Sequence, residues 1–216
     1  MRATSDYIRL LDELSNEDAR TVGVNASNLA EMRKQALPVS DGFIVTTSAF
    51  ETFSRSSGLE GSVCWFAERA KSAGATEGED YARMIEVVIR SSKIPDEVKD
   101  AVLTGYWDLR RRSGTVAVLA RSSFTAEVSS DPNFLGDASS FFDLMGEEEL
   151  LAAVKRCWAS VYNPTAIRLW SSRLAGSNLI PCAVVVQEQT SALPDLFGTA
   201  GDGENWRTGV SSRTQS

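Results

Sequence analysis

Two kinds of hydrophobic pattern divide this chain. Short, continuous apolar runs rich in β-branched residues occur at Gly42-Phe-Ile-Val-Thr-Thr47, Thr115-Val-Ala-Val-Leu-Ala120 and Pro181-Cys-Ala-Val-Val-Val-Gln-Glu188. Runs of this length, bounded by Gly, Pro and Ser, predict interior strands. Between them, apolar residues recur every three or four positions, and this spacing predicts helices over 62–73, 78–91 and 95–112. Pro95 stands at a first-turn position, and Gly74-Ala-Thr-Glu-Gly78 breaks the pattern. The middle of the chain thus reads as a helical insertion between strands.

Before the first strong strand, Tyr7–Asp12 reads as a short strand or helix leading into a loop at Asn16–Arg20. Gly23 permits a close backbone approach, and Ser27 with Glu31 predicts a helix start nearby. Ser48 is placed to cap a helix through Phe53. Beyond the second strong strand, Ser139–Leu144 reads as its hairpin partner. Gly146-Glu-Glu-Glu149 opens an amphipathic helix whose apolar face is Leu150, Val154, Cys157, Trp158 and Val161, its acidic first turn suiting the helix dipole. Another helix is expected from Pro164 to about Leu174. From Ser191 the chain loses periodicity and reads as a loop-rich or disordered tail, so a domain of residues 1–190 and a tail of 191–216 are expected. Strong strands separated by helices indicate an α+β or α/β layered architecture.

Composition changes this picture only by exclusion. With 216 residues, 43% hydrophobic and 24% charged, the chain can bury a sizeable core. No apolar run approaches the ~20 residues needed to span a bilayer, and Met1-Arg-Ala-Thr-Ser-Asp6 lacks the apolar core of a signal peptide, so a cytoplasmic location is expected. The net charge of −7, with no basic block beyond Arg110-Arg-Arg112, argues against nucleic acid as the partner. Cys64, Cys157 and Cys182 have no paired spacing and read as reduced core residues rather than a metal site. The absence of histidine from all 216 residues removes a Ser-His or Cys-His nucleophile, a histidine-ligated metal and a phosphohistidine intermediate within this chain.

The chemistry concentrates at Arg121-Ser-Ser-Phe-Thr-Ala-Glu127, where a predicted strand delivers a cation and several hydroxyls into one turn. A guanidinium at a strand exit can give a phosphate two parallel hydrogen bonds, with Ser122, Ser123 and Thr125 adding donors. The competing reading is a structural arginine paired with a local carboxylate such as Glu127.

The order of segments resembles one family. Val22-Gly-Val-Asn-Ala-Ser-Asn-Leu-Ala-Glu-Met32, Leu37–Thr47, Arg121–Glu127, Asn133-Phe-Leu-Gly136, Arg156-Cys-Trp-Ala-Ser160 and Ala183–Glu188 follow one another as in the ATP-binding domain of the phosphoenolpyruvate synthase, pyruvate phosphate dikinase and rifampicin phosphotransferase family. The resemblance implies an α+β fold: an ATP-grasp-like first subdomain with a mixed sheet and a helical insertion. It also implies that Arg121 contacts ATP phosphates as the candidate catalytic residue and that the loop Gly136–Ser140 folds over them. Gln187, Glu188, Gln189 and Thr190 would form a hinge near adenine. Asn25 stands where the family has a phosphate-binding lysine, Val128 where it has an acidic residue, and Ser140 where it has a threonine. The resemblance stops where the family carries its Mg2+ ligands, so Mg2+ would need a partner chain supplying the second subdomain. Three readings remain open: the ATP-binding part of a split phosphotransferase, a non-catalytic relative binding a small molecule or protein, and an enzyme of altered chemistry.

Overall fold

The computed structural model of the chain describes residues 5–15, 18–72, 75–125, 139–163 and 179–189. The apolar runs become the centre of a sheet built from β1 (Ile8–Leu10), β2 (Gly42–Val45), β3 (Val118–Phe124), β4 (Ser140–Leu144) and β5 (Cys182–Glu188). The strands lie in the order β1-β2-β5-β3-β4, and each neighbouring pair is antiparallel. The α+β class is thus observed, while the expected mixture of parallel and antiparallel pairs is corrected. The reason lies in the position of β5. Both β2 and β3 run antiparallel to it, so the two strands joined by the helical crossover are parallel to each other but separated by the strand between them.

Side chains alternate across the sheet and so supply two cores. On one face, Phe43, Val45, Val118, Ala120, Val184 and Val186 join the larger cluster. The helical insertion supplies its other wall: α2 (Thr47–Ser57), α3 (Leu59–Ser72), α4 (Ala75–Ser91) and α5 (Asp96–Ser113), followed later in the chain by α6 (Glu147–Ser160). At its centre Trp158 of α6 packs against Phe50 and Phe53 of α2, with ring centroids 5.7 and 4.9 Å apart. On the other face Ile44, Ala183 and Val185 meet Val22, Ala26, Leu29 and Ala30 of α1 (Ala19–Lys34). Apolar matter on both faces explains why all four residues of β2 are buried although the strand is too short to show alternation.

Several expected boundaries move, and Thr46, not Ser48, is the N-cap residue of α2, so Ser48 lies inside its first turn. Thr115–Ala117 do not belong to β3, because the chain turns there after α5: Thr115 Oγ1 donates to the Ala117 carbonyl at 2.8 Å, and that carbonyl also accepts from the Gln189 amide. Strand β3 instead runs on to Phe124, so Arg121 lies in mid-strand and not at its exit. Helix α1 begins at Ala19, well before Ser27, with an interruption at Gly23 (φ 77°, ψ 167°) that divides its first turn from the rest. Pro95 precedes α5 as its N-cap residue instead of lying in the first turn. The predicted helix at 164–174, the tail from Ser191 and Gly136 lie outside the described residues. Among the described residues no helix is long and apolar enough to cross a membrane. Cys157 and Cys182 are free and fully buried, and burial pushes the Cys182 thiol up to about 12.

The entry to α1 carries a pH-dependent contact. Asp18 Oδ2 accepts from the Ser15 amide at 2.7 Å and from the Ser15 hydroxyl at 2.9 Å, with Arg9 at 3.5 Å from its other oxygen. The backbone bond from Ser15 is the main cause that holds its pKa below the ordinary 3.8, outweighing partial burial. A depressed folded-state pKa contributes stability that is present above the unfolded value and is lost as pH falls through the folded one. Stability is therefore expected to fall on acidification below pH 3.8, and Asp18→Asn should flatten that part of the profile. Urea unfolding of both proteins across this range checks it, and parallel profiles would refute it.

Candidate functional site

The site is built where the start of α1 lies on β3. A Cβ added at Gly23 would stand 2.4 Å from the Ser123 carbonyl oxygen, so only a residue without one lets the two backbones meet. The close approach expected at Gly23 is thus observed, and its partner is the strand that carries Arg121. Two further bonds fasten the seam. Asn25 Nδ2 donates to the Ser122 carbonyl at 3.1 Å, and the Ala26 amide donates to Ser123 Oγ at 3.1 Å.

These contacts fix what the predicted hydroxyls do. Ser122 and Ser123 are completely buried, and Thr125 nearly so. Ser123 Oγ is occupied by α1. The Ser122 amide donates to the Ser139 carbonyl at 3.0 Å and its hydroxyl approaches the same oxygen at 3.5 Å. They follow Arg121 within a continuing strand and not in a turn, so their hydroxyls join the sheet to its neighbours. Asn25, expected to stand in for a family lysine, holds backbone in the same way.

Arg121 lies in register with Val185 on one side and Ser140 on the other, on the face of the sheet that α1 covers farther along. It is half-buried, and burial pulls its pKa below the ordinary guanidinium value. The closest packing partners of β4 are β3 and α6, and α6 lies on the opposite face. Arg121 and Ser140 are therefore neighbours on that face, Ser140 as the first residue of β4, where a guanidinium and a hydroxyl can address one anion. Gly136 and Thr190 fall outside the described residues.

The expected hinge residues have protein partners. Gln187 is buried and its Nε2 donates to the Ser40 carbonyl at 3.1 Å. Glu188 Oε1 accepts from the Asp41 amide at 3.0 Å. Gln189 makes a paired contact with β4: Asp143 N donates to its Oε1 and its Nε2 donates to Asp143 Oδ1, both at 2.7 Å. This last contact was not legible in the sequence, since it joins a strand end to a bulge 46 residues away. The nearest signal was Asp143 itself, a residue type that tolerates the left-handed backbone it adopts at φ 57°. A separate cleft, lined by Asp6, Arg9, Thr21, Thr46 and Ser48, holds none of the predicted residues, and its cation Arg9 is engaged with Asp18 and the Glu13 carbonyl.

Comparison with known proteins places the whole chain rather than single residues of the seam. The chain is 30% identical over 188 residues to a probable phosphoenolpyruvate synthase of Methanothermobacter thermautotrophicus, covering 86% of this chain and 28% of that protein. It is 30% identical over 189 residues to a phosphoenolpyruvate synthase of Aeropyrum pernix, covering 84% and 23%. With a phosphoenolpyruvate synthase of Pyrococcus furiosus the identity is 24% over 220 residues, covering 86% and 27%. The chain thus spans 28% or less of the length of each of these relatives. The match to a family extends from residue 19, where α1 begins, through β5 to residue 201, and by it the chain belongs to the family of the pyruvate phosphate dikinase AMP/ATP-binding domain.

Proposed function

We propose that this chain binds ATP on the face of β3 and β4 that carries Arg121 and Ser140, and that it is the nucleotide-binding part of a phosphoenolpyruvate-synthase-like phosphotransferase of the kinase type. The observation that supports this most is the register of Arg121 with Ser140, a charge-bearing donor beside a hydroxyl at the strand pair facing away from the main helical layer. The family, that of an AMP/ATP-binding domain, and the relatives named as phosphoenolpyruvate synthases point the same way. Phosphoryl transfer would need parts not assignable in this chain, supplied by a partner chain. The described residues hold no group of three or more His, Cys, Asp or Glu placed for a metal. Mg2+ would need ligands supplied by a partner chain, and no step through it is assigned to these residues. A cytoplasmic setting fits this reading.

The second reading, a non-catalytic relative, is favoured by one specific observation. Asn25 brings no charge and is tied to the Ser122 carbonyl, so the position that bears the family's lysine works here as a fastening. Calorimetric titration with ATP and Mg2+ separates the readings. Arg121→Ala is expected to weaken binding by about ten- to hundredfold, the loss of a charge-assisted contact of ~1.5–3 kcal/mol, with the fold retained. Asn25→Lys is expected to strengthen binding. If Arg121→Ala binds as the parent does, the site assignment fails, and if neither the parent nor Asn25→Lys binds, the non-catalytic reading prevails.

A further inference from the structure

Beside Arg121 and Ser140, β4 carries a feature that phosphate binding leaves unused. Its register with β3 shifts between Ala120, which faces Phe141, and Val118, which faces Leu144, so Phe142 and Asp143 together stand opposite Leu119. This is a β-bulge, a device that re-aims side chains. Phe141 and Leu144 join the larger core, and the two residues between them therefore belong to the other face, the one that carries Arg121 and Ser140. Asp143 takes the left-handed backbone at φ 57°, a conformation that costs a non-glycine residue energy. The paired 2.7 Å bonds to Gln189 hold it there.

What this arrangement presents is the Phe142 ring, 49% exposed. With about half of its surface left in water, the ring gives folding only part of what a buried aromatic would. It stands two residues beyond Ser140 in β4, with Leu119 as its buried neighbour in β3, and Leu119 lies about 7 Å along the strand from Arg121 at the usual rise per residue. The strip from Arg121 past Phe142 to Gln189 is thus cationic at one end, apolar and aromatic in the middle, and amide-bearing at the other.

We infer that Phe142 is the stacking platform for the base of the bound nucleotide, and that Gln189 is a positioning residue that holds the bulge in shape. The ligand class recognised is then an aromatic base joined to phosphates, in preference to a bare polyphosphate or a sugar phosphate. This rests on the reading that phosphates meet Arg121. Stacking on an aromatic face is the interaction an exposed ring offers any base, whatever its edge carries.

The test is calorimetric titration of the full chain with ATP and, separately, with inorganic tripolyphosphate. Phe142→Ala is expected to weaken ATP binding roughly five- to hundredfold while leaving tripolyphosphate within about twofold of the parent. Phe142→Trp should retain ATP binding, and Gln189→Ala should lose the ATP preference in the same direction as Phe142→Ala. Equal losses for both ligands, or no loss for ATP, overturn the inference. If the parent binds ATP no better than tripolyphosphate, the base is not recognised and the inference fails while the phosphate site stands. If the parent binds neither, both fall. Met145 and Val116 are also exposed, at 58% and 60%. A change in self-association of Phe142→Ala with unaltered ATP binding assigns the ring to a protein contact and overturns the inference as well.

Discussion

Gly23→Ala is expected to destabilise the protein by at least ~2 kcal/mol, from two causes that act together. The first is conformational. With φ 77° and ψ 167°, Gly23 occupies a backbone region that is accessible essentially to glycine alone. The second is steric, because the new Cβ would meet the Ser123 carbonyl oxygen and carbon at 2.4 and 2.6 Å. Those are backbone atoms of a strand paired on both sides, so they cannot step aside as the tip of a flexible side chain would. Gly58 provides the control. It also has a positive φ, 64°, but a Cβ there meets nothing within 4 Å. Gly58→Ala should therefore cost only the conformational part, about 1 kcal/mol. Urea unfolding midpoints of the two variants and the parent measure the difference. Equal small losses would show that α1 can lift from β3 without penalty, and the seam would lose its claim to position the site.

Trp158→Ala is expected to be the most damaging change in the larger core, at about 3–5 kcal/mol. The side chain is fully buried between α2 and the sheet and touches both Phe50 and Phe53, so truncation leaves a cavity lined by rings that cannot collapse into it. Trp158→Phe should behave quite differently. The indole Nε1 is buried with no hydrogen-bond partner among the described residues, so the native side chain already bears a desolvation cost. Phenylalanine removes that group and keeps most of the apolar surface, and the loss should stay near 1 kcal/mol. Thermal or urea unfolding of the pair decides it. A Phe variant as unstable as the Ala variant would mean that the indole nitrogen has a partner worth keeping.

What the sequence revealed and what it hid have the same physical root. The strands at β2, β3 and β5 were legible because burial on both faces leaves an unbroken apolar run, and the helices between them because one face of each is wet. Gly23 was legible as a point of close approach, though not what it approaches, because Ser123 lies a hundred residues further along the chain. The exit of β3 was misplaced for a related reason. Ser122 and Ser123 are turn formers by local preference, and only the pairing of Ser122 with Val184 and Ser123 with Ala183 makes them strand. The fate of Asn25 was likewise half legible: the missing charge can be read from its identity, its bond to the Ser122 carbonyl only from the packed seam. The bulge at Phe142 and Asp143 left almost no local trace, since two residues opposing one is a property of the pair of strands and not of either.

The position of β5 has a consequence for how the chain acquires its shape. It is the middle strand of the sheet in space and the last described strand in order, pairing Val184 with Val45 and Ser122 from opposite sides. During synthesis, β1 with β2 and β3 with β4 can form as two separate ribbons, each with an open edge waiting for the same seven residues. Until those residues leave the ribosome, the rows of unpaired amides on β2 and β3 are open to any extended segment nearby. The slow step of folding is then the closing of long loops around one late strand. A chaperone that shields those two edges would be needed most in the interval before Cys182 emerges.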